Sequence, residues 1–198
     1  MDPQVERALA KWPKVPHCYG WLALDARGDW RMRDAQAQRN GGIGERITQA
    51  ALIGFIARNY AHDEQGRWYF QNGPQRVYVE LQAAPYIARI EPGMKLMLHT
   101  GECMPDLAAA YLSDGGNLWL CGGQRVAMLD GRDLAHCLPL LNIDGEAIDD
   151  AALQAWMDGG GACGQLRLQW RGDSLAIGYL AEEEAPRRFG FERHPSGT

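Results

Sequence analysis

Val5, Leu9 and Trp12 recur at helical spacing behind Asp2-Pro3, an N-cap followed by proline at the first helical position. A short amphipathic helix is therefore expected to open the chain and to end at Pro13 and Pro16. Tyr19 to Leu24 and Asp29 to Arg33 flank the turn formers Asp25-Ala26-Arg27-Gly28 and predict a first hairpin. Ile43, Ile47, Ala51, Leu52, Phe55 and Ile56 keep helical spacing, which predicts a helix from Ile43 to Asn59 packed on the sheet. Beyond it the period becomes two. Val77, Val79 and Leu81 alternate with Arg76, Tyr78 and Glu80, so the first set should face the core and the second should face outward or into a cleft. Pro85, Pro92 and Gly93 punctuate two further strands, Tyr86 to Ile90 and Lys95 to His99.

In the second half, strands are expected at Ala109 to Leu112, Leu118 to Cys121 and Gln124 to Leu129. Helices follow at Leu134 to Leu138 and at Asp150 to Met157, the latter stopped by Gly159-Gly160-Gly161. Gly164 to Trp170 and Ser174 to Leu180, joined by Arg171-Gly172-Asp173, give one more hairpin, and residues after His194 are expected to be disordered. One stretch occurs twice. Gly66-Arg67-Trp68-Tyr69-Phe70, leading to Gln75-Arg76-Val77, returns about fifty residues later as Gly116-Asn117-Leu118-Trp119-Leu120, leading to Gln124-Arg125-Val126. Aligned with one gap, both copies read as a hairpin. The expected fold is α+β: two small β-rich units related by duplication, mostly antiparallel hairpins with a few helices, spanning residues 1–100 and 101–198.

The chain has 198 residues, 46% apolar and 23% charged, with a formal net charge of −5. That balance is globular and argues against a nucleic-acid partner, which leaves a basic footprint. No stretch approaches the roughly 18 apolar residues of a membrane span, and Met1-Asp2-Pro3-Gln4-Val5-Glu6 has no basic flank, so a cytoplasmic protein with no membrane partner is expected. Cys18, Cys103, Cys121, Cys137 and Cys163 are odd in number and contain no Cys-x-x-Cys pair, which suits reduced thiols.

The run Gly66-x-Trp68-Tyr69-Phe70, then Gly73-Pro74-Gln75-Arg76-Val77-x-Val79, then Ala84-Pro85-Tyr86 resembles the signature stretch of an uncharacterised bacterial family. That family has a duplicated β-rich core and a C-terminal half like pleckstrin-homology folds. The resemblance covers about residues 19 to 90; it implies a ligand site between the halves and a role in signalling, and it supplies no catalytic residues. The stretch from Tyr19-Gly20-Trp21 to Ala84-Pro85 is also similar to a narrower proteobacterial group of unknown function.

Several constellations could carry chemistry. His17-Cys18, His99-x-x-x-Cys103 and His136-Cys137 pair imidazoles with thiols, but neighbours on a strand point to opposite faces and zinc spacing is absent, so no metal is expected and the cysteines read as buried and inert. Asn40-Gly41-Gly42-Ile43-Gly44-Glu45-Arg46 offers backbone N–H groups to an anion at a helix start, yet it lacks the Lys-Ser/Thr ending of a P-loop and reads better as a connector. Asp63-Glu64 and Asp149-Asp150 fall at turns or caps, where carboxylates hold local backbone. Arg76 and Arg125 stand in identical Gln-Arg-Val contexts, so duplication would let two guanidinium forks meet one phosphate or carboxylate. Trp68, Tyr69 and Trp119, near them in sequence, would stack on a flat ligand.

The resulting expectation is a non-enzymatic ligand-binding or signalling protein that takes a small anionic, nucleotide-like ligand between its units at Arg76, Arg125, Trp68, Tyr69 and Trp119. No catalytic residue, metal or cofactor is assigned. The alternative is an interaction scaffold that binds a protein partner or a second copy through strand edges. An enzyme of unrecognised type ranks third.

Overall fold

The computed structural model describes residues 1–12 and 14–197. The chain is an α+β protein with two sheets. It divides into two compact units: unit 1 holds Met1–Pro85, His99–Gly101 and Gly190–Thr198, and unit 2 holds Tyr86–Leu98 and Glu102–Phe189. The division falls at Pro85 and the last residues return to unit 1, so the units are not the contiguous halves 1–100 and 101–198. Strand pairing is the reason. The hairpin at 86–98 joins the sheet of unit 2, and the 190–197 segment bonds to strands of unit 1.

Unit 1 contains α1 (Pro3–Lys11), β1 (Cys18–Leu24), β2 (Trp30–Met32), α2 (Ala35–Arg39), β3 (Glu45–Arg46), α3 (Ala50–Arg58), β4 (Tyr60–His62), β5 (Trp68–Asn72) and β6 (Gln75–Leu81). Its strands are ordered β3-β2-β1-β6-β5-β4; β1 is parallel to β6 and the other pairs are antiparallel. Register sets the two faces. Tyr69 opposes Tyr78, Gln71 opposes Arg76, and Ala23 opposes both Glu80 and Arg31, so these residues share one face. Leu22, Leu24, Trp30, Phe70, Val79 and Leu81 occupy the other and are buried, each worth about 1.5–3 kcal/mol over exposure. Phe55 of α3 meets Phe70 edge-on at 5.3 Å.

Four expectations change here. Asp2 sits at the N-cap of α1 but makes no side-chain cap; its carboxylate takes Arg58 Nε at 3.3 Å and Asn59 Nδ2 at 3.4 Å. The helix stops at Lys11, and Pro13, proposed as its terminator, lies outside the described residues. The helix expected from Ile43 begins only at Ala50. Gly44 has φ +91°, and a Cβ there would stand 2.3 Å from the Met32 carbonyl oxygen, so the chain passes too close to β2 to be helical; Glu45 and Arg46 form β3 instead. Tyr78 is wholly buried, because β6 is flanked by β1 and β5 and Tyr19 stacks on its ring at 4.6 Å. The tail expected to be disordered after His194 starts from an anchored stretch, where Glu192 N donates to Gly66 O at 3.0 Å and Leu81 N donates to Arg193 O at 2.8 Å, and its first residue, Pro195, is buried.

Unit 2 contains β7 (Tyr86–Glu91), β8 (Lys95–Leu98), β9 (Ala109–Ser113), β10 (Leu118–Gly122), β11 (Arg125–Leu129), α4 (Leu134–Cys137), β12 (Leu141–Ile143), β13 (Glu146–Ala147), α5 (Asp150–Asp158), β14 (Leu166–Trp170), β15 (Asp173–Leu180) and α6 (Ala185–Phe189). Their order is β13-β12-β14-β15-β9-β10-β11-β7-β8. Trp119 is fully buried and stacks on Phe189 of α6 at 5.5 Å. Within this sheet, β8-β7-β11-β10-β9 has the same order and polarity as β2-β1-β6-β5-β4 of unit 1: a hairpin, then a three-strand meander whose last strand runs parallel to the first. The repeat read in the sequence is thus two hairpins in like topological positions. No helix among the described residues is long and apolar enough to cross a membrane.

The two turn glycines of the repeat should respond differently to substitution. Gly66 and Gly116 have φ +75° and +74°, but a Cβ at Gly66 would lie 2.1 Å from Gly190 O, whereas nothing lies within 4 Å at Gly116. Gly116→Ala should cost about 1–2 kcal/mol from backbone strain alone, and Gly66→Ala clearly more, as measured by denaturant unfolding.

His99 gives a pH prediction. Its ring meets Trp30 at 5.2 Å and Tyr60 at 5.7 Å, and Nε2 is sealed from solvent although the residue as a whole is half-buried. Burial pushes its pKa down from 6.5 to about 3. Between those values the unfolded chain binds the extra proton, so stability is full above pH 6.5 and falls as the pH drops toward 3. Thermal midpoints of the wild type should fall from pH 7 to pH 5, and His99→Phe should flatten that slope.

Candidate functional site

The two arginines of the repeat do not occupy equivalent positions. In β5–β6, Asn72 pairs with Gln75 across a loop of Gly73 and Pro74; in β10–β11, Gly122 pairs with Arg125 across Gly123 and Gln124. Gly73 and Gly123 match closely, with φ +56° and +57°. Aligned on these turns, Arg125 corresponds to Gln75, and Arg76 to Val126. The gap that brings the Gln-Arg-Val triplets together shifts them by one residue, and a one-residue shift reverses the face of a side chain. Arg76 shares the face of Tyr69 and Tyr78, whereas Arg125 sits on the counterpart of the face that carries Phe70 and Val79.

The face around Arg76 is organised by Asp63. One carboxylate oxygen accepts from the backbone N–H groups of Gln65 and Arg67, each at 3.0 Å, and closes the turn before β5. The other accepts from Arg67 Nε at 2.8 Å and from the Tyr78 hydroxyl at 3.0 Å. Burial pushes the Asp63 carboxyl up, but the hydrogen bonds from Arg67, Tyr78 and Gln65 together outweigh it and hold the group below the ordinary carboxylate range. The Tyr78 phenol is raised chiefly by burial, with Arg76 opposing and Asp63 adding. His17 meets the Tyr78 ring edge-on at 5.7 Å, and the Arg67 guanidinium lies 4.9 Å from it.

Arg76 reaches this network through a side-chain hydrogen bond to Tyr78, yet it forms no ion pair among the described residues. Its guanidinium lies 4.4 Å from the Tyr69 ring centroid, a cation–π contact that fixes its direction. It opens on a pocket of about 420 Å³ lined also by His62, Asp63, Glu64, Gln65 and Arg67. Reading Asp63 as a turn acid is correct but incomplete; its spacing of four from Arg67 around Gly66 is the signal for the pair.

The other expected site residues are placed differently. Tyr69 is buried with Arg76 over it, and Trp68 is buried with Tyr60 at 4.7 Å and His62 at 4.8 Å. Trp119 belongs to the core of unit 2, so none of the three offers a free ring face to a flat ligand. Arg125 lies 5.5 Å from the Tyr86 ring, and its Nη2 pairs with a Glu102 carboxylate oxygen at 2.5 Å. The Asn40–Arg46 stretch leads into β3, so it presents no helix start to an anion. The three imidazoles beside cysteines go to different neighbours: His17 to Tyr78, His99 to Trp30, and His136 to Asp133 at 3.9 Å. Of the cysteines expected to be buried only Cys137 is, and Cys103 and Cys163 are exposed; burial pushes the Cys18, Cys121 and Cys137 thiols up, Cys137 to about 11, which removes their thiolate character. Among the described residues no group of three or more His, Cys, Asp or Glu is arranged to hold a metal.

The chain belongs to the family described as "Protein of unknown function (DUF2946)", whose model matches residues 1–196. Among solved structures it is similar to a DUF1285 family protein from Silicibacter pomeroyi DSS-3, with 14% identity, a TM-score of 0.47, and 89% of this chain and 88% of that one covered. A DUF1285 family protein from Shewanella baltica OS155 is similar at 14% identity and a TM-score of 0.42, covering 59% of this chain and 88% of that one. No curated protein matches the sequence.

Removing the organising carboxylate should be costly. Asp63→Ala leaves the Tyr78 hydroxyl without that acceptor and Arg67 without that counter-charge, and should destabilise the protein by about 2–3 kcal/mol in urea unfolding. Glu64→Ala, an exposed neighbour, should stay within about 0.5 kcal/mol of wild type.

Proposed function

We propose that the protein binds a small anionic ligand, without chemistry of its own, at Arg76 on the polar face of unit 1. The observation that carries this reading is the unmatched charge of Arg76. Asp63 already holds Arg67 and Tyr78, while Arg76 is held over Tyr69 and opens on a pocket that His62, Asp63, Glu64, Gln65 and Arg67 also line. A fixed, partly buried guanidinium without a carboxylate partner favours a phosphate or carboxylate group, which it can take through two parallel hydrogen bonds. Burial of Trp68, Tyr69 and Trp119 favours recognition by charge over stacking, so the phosphate of a nucleotide-like ligand would matter more than its base. Arg125 can add to binding only by giving up Glu102, and its contribution is correspondingly small. A ligand-responsive part in signalling is the biological role this reading suits.

Calorimetric titration with inorganic phosphate, AMP and citrate tests it. Arg76→Ala should weaken binding by about ten- to a hundred-fold, the equivalent of one hydrogen-bonded charge. Arg76→Lys should also weaken it, since an ammonium has no bidentate fork. Arg125→Ala should change affinity by less than about two-fold. Equal binding by wild type and Arg76→Ala, or no binding of any probe at millimolar concentration, would sink the reading.

A further inference from the structure

Unit 2 carries a second pocket, of about 330 Å³, where three separate segments converge: the β7–β8 tip, residues 104–107, and the β14–β15 tip. Its floor is apolar. Leu96, Met104 and Trp170 line it and are each less than a tenth exposed. Its rim is charged: Asp106, Arg171 and Asp173 also line it. None of the three forms an ion pair among the described residues, unlike the buried Asp133 and Asp130 of the same unit, which are matched by Arg89 at 2.6 Å and by Arg132. Ser174, also at the rim, is already engaged, accepting from Arg167 at 2.7 Å and from Gln169 at 2.9 Å.

Backbone strain collects at the same place. Of the non-glycine residues with left-handed φ, Met94 (+57°) and Arg171 (+52°) both line this pocket. Arg171 and Gly172 form the two-residue loop of the β14–β15 hairpin, where asparagine before glycine is the favoured choice. An arginine held there at a conformational cost points to a use for its guanidinium.

We propose that this pocket binds a hydrophobic α-amino acid in its zwitterionic form. Arg171 takes the carboxylate, Asp106 and Asp173 take the ammonium, and Leu96, Met104 and Trp170 receive the side chain. The alternatives fit less well. Two rim carboxylates repel a phosphate or polyanion, a lone cation gains nothing from Arg171, and a bare hydrocarbon leaves all three charges unused. The volume lies at the small end of ligand pockets, which suits one amino acid rather than a dinucleotide.

Calorimetric titration of the full chain with L-leucine, L-methionine and L-phenylalanine tests the proposal. At least one should bind at a single site. Leucinol, which lacks the carboxylate, 4-methylpentanoate, which lacks the ammonium, and glycine, which lacks the side chain, should each bind at least about ten-fold more weakly. Arg171→Asn should reduce affinity by about ten-fold or more while its thermal midpoint stays level or rises, because asparagine suits the turn; that separates lost recognition from lost folding. Asp106→Asn combined with Asp173→Asn should abolish binding. Arg76→Ala should leave this binding unchanged, which keeps the pocket distinct from the anion site of unit 1. The proposal is overturned if none of the three amino acids binds at millimolar concentration, if leucinol or 4-methylpentanoate binds as well as leucine, or if Arg171→Asn binds like wild type.

Discussion

Parallel ladders hold each sheet together, β1 with β6 in unit 1, and β7 with β11 and β9 with β15 in unit 2. A parallel pair cannot be joined by a tight turn, so each ladder closes a long stretch of chain, and the entropy lost must be recovered by burial around it. That recovery is visible: Leu24, Val79 and Leu81 beside the first ladder, and Ile87, Ala88 and Ala127 beside the second, are almost fully buried. The ladder also explains the polar site. It puts β6 in the middle of its sheet, which buries Tyr78, and a buried phenol needs a partner. Asp63 supplies that partner, Arg67 balances Asp63, and the charge of Arg76 is left over on the same face.

The sequence was legible where structure is local. Asp25-Ala26-Arg27-Gly28, Asn72-Gly73-Pro74, Gly122-Gly123 and Arg171-Gly172 are turn formers between apolar runs, and a hairpin stands at each. It misled where a distant contact decides. Ile43 and Ile47 fit a helical stripe, but Ile47 N bonds to Trp30 O at 2.8 Å and Gly44 presses on β2, so the sheet claims residues that periodicity assigns to a helix. Tyr78 reads by alternation as facing outward or into a cleft because sequence does not reveal that a strand is central. Leu141–Ile143 and Glu146–Ala147 are too short for periodicity to separate them from loop.

For the sites, the residue types were readable and their grouping was not. Arg76 could be picked out from the repeated triplet, yet the same triplet suggested a partnership with Arg125 that strand register denies. A gap placed to maximise identity is free in an alignment, whereas in a hairpin it changes which face a side chain leaves. Arg171 could be read only as a turn residue, since nothing in its neighbours foretells Met104 and Leu96 across the pocket.

The return of the 190–197 segment to unit 1 has a consequence during synthesis. The carbonyl of Gly66 and the amide of Leu81 receive their partners, Glu192 and Arg193, only after all of unit 2 has been translated. At about 5–20 residues per second the ribosome takes roughly 5–20 s to make the intervening stretch. For that interval the nascent N-terminal sheet has every strand it needs but not its closing clasp. Unit 2 is itself complete only at Phe189, so its last element and the clasp of unit 1 become available almost together.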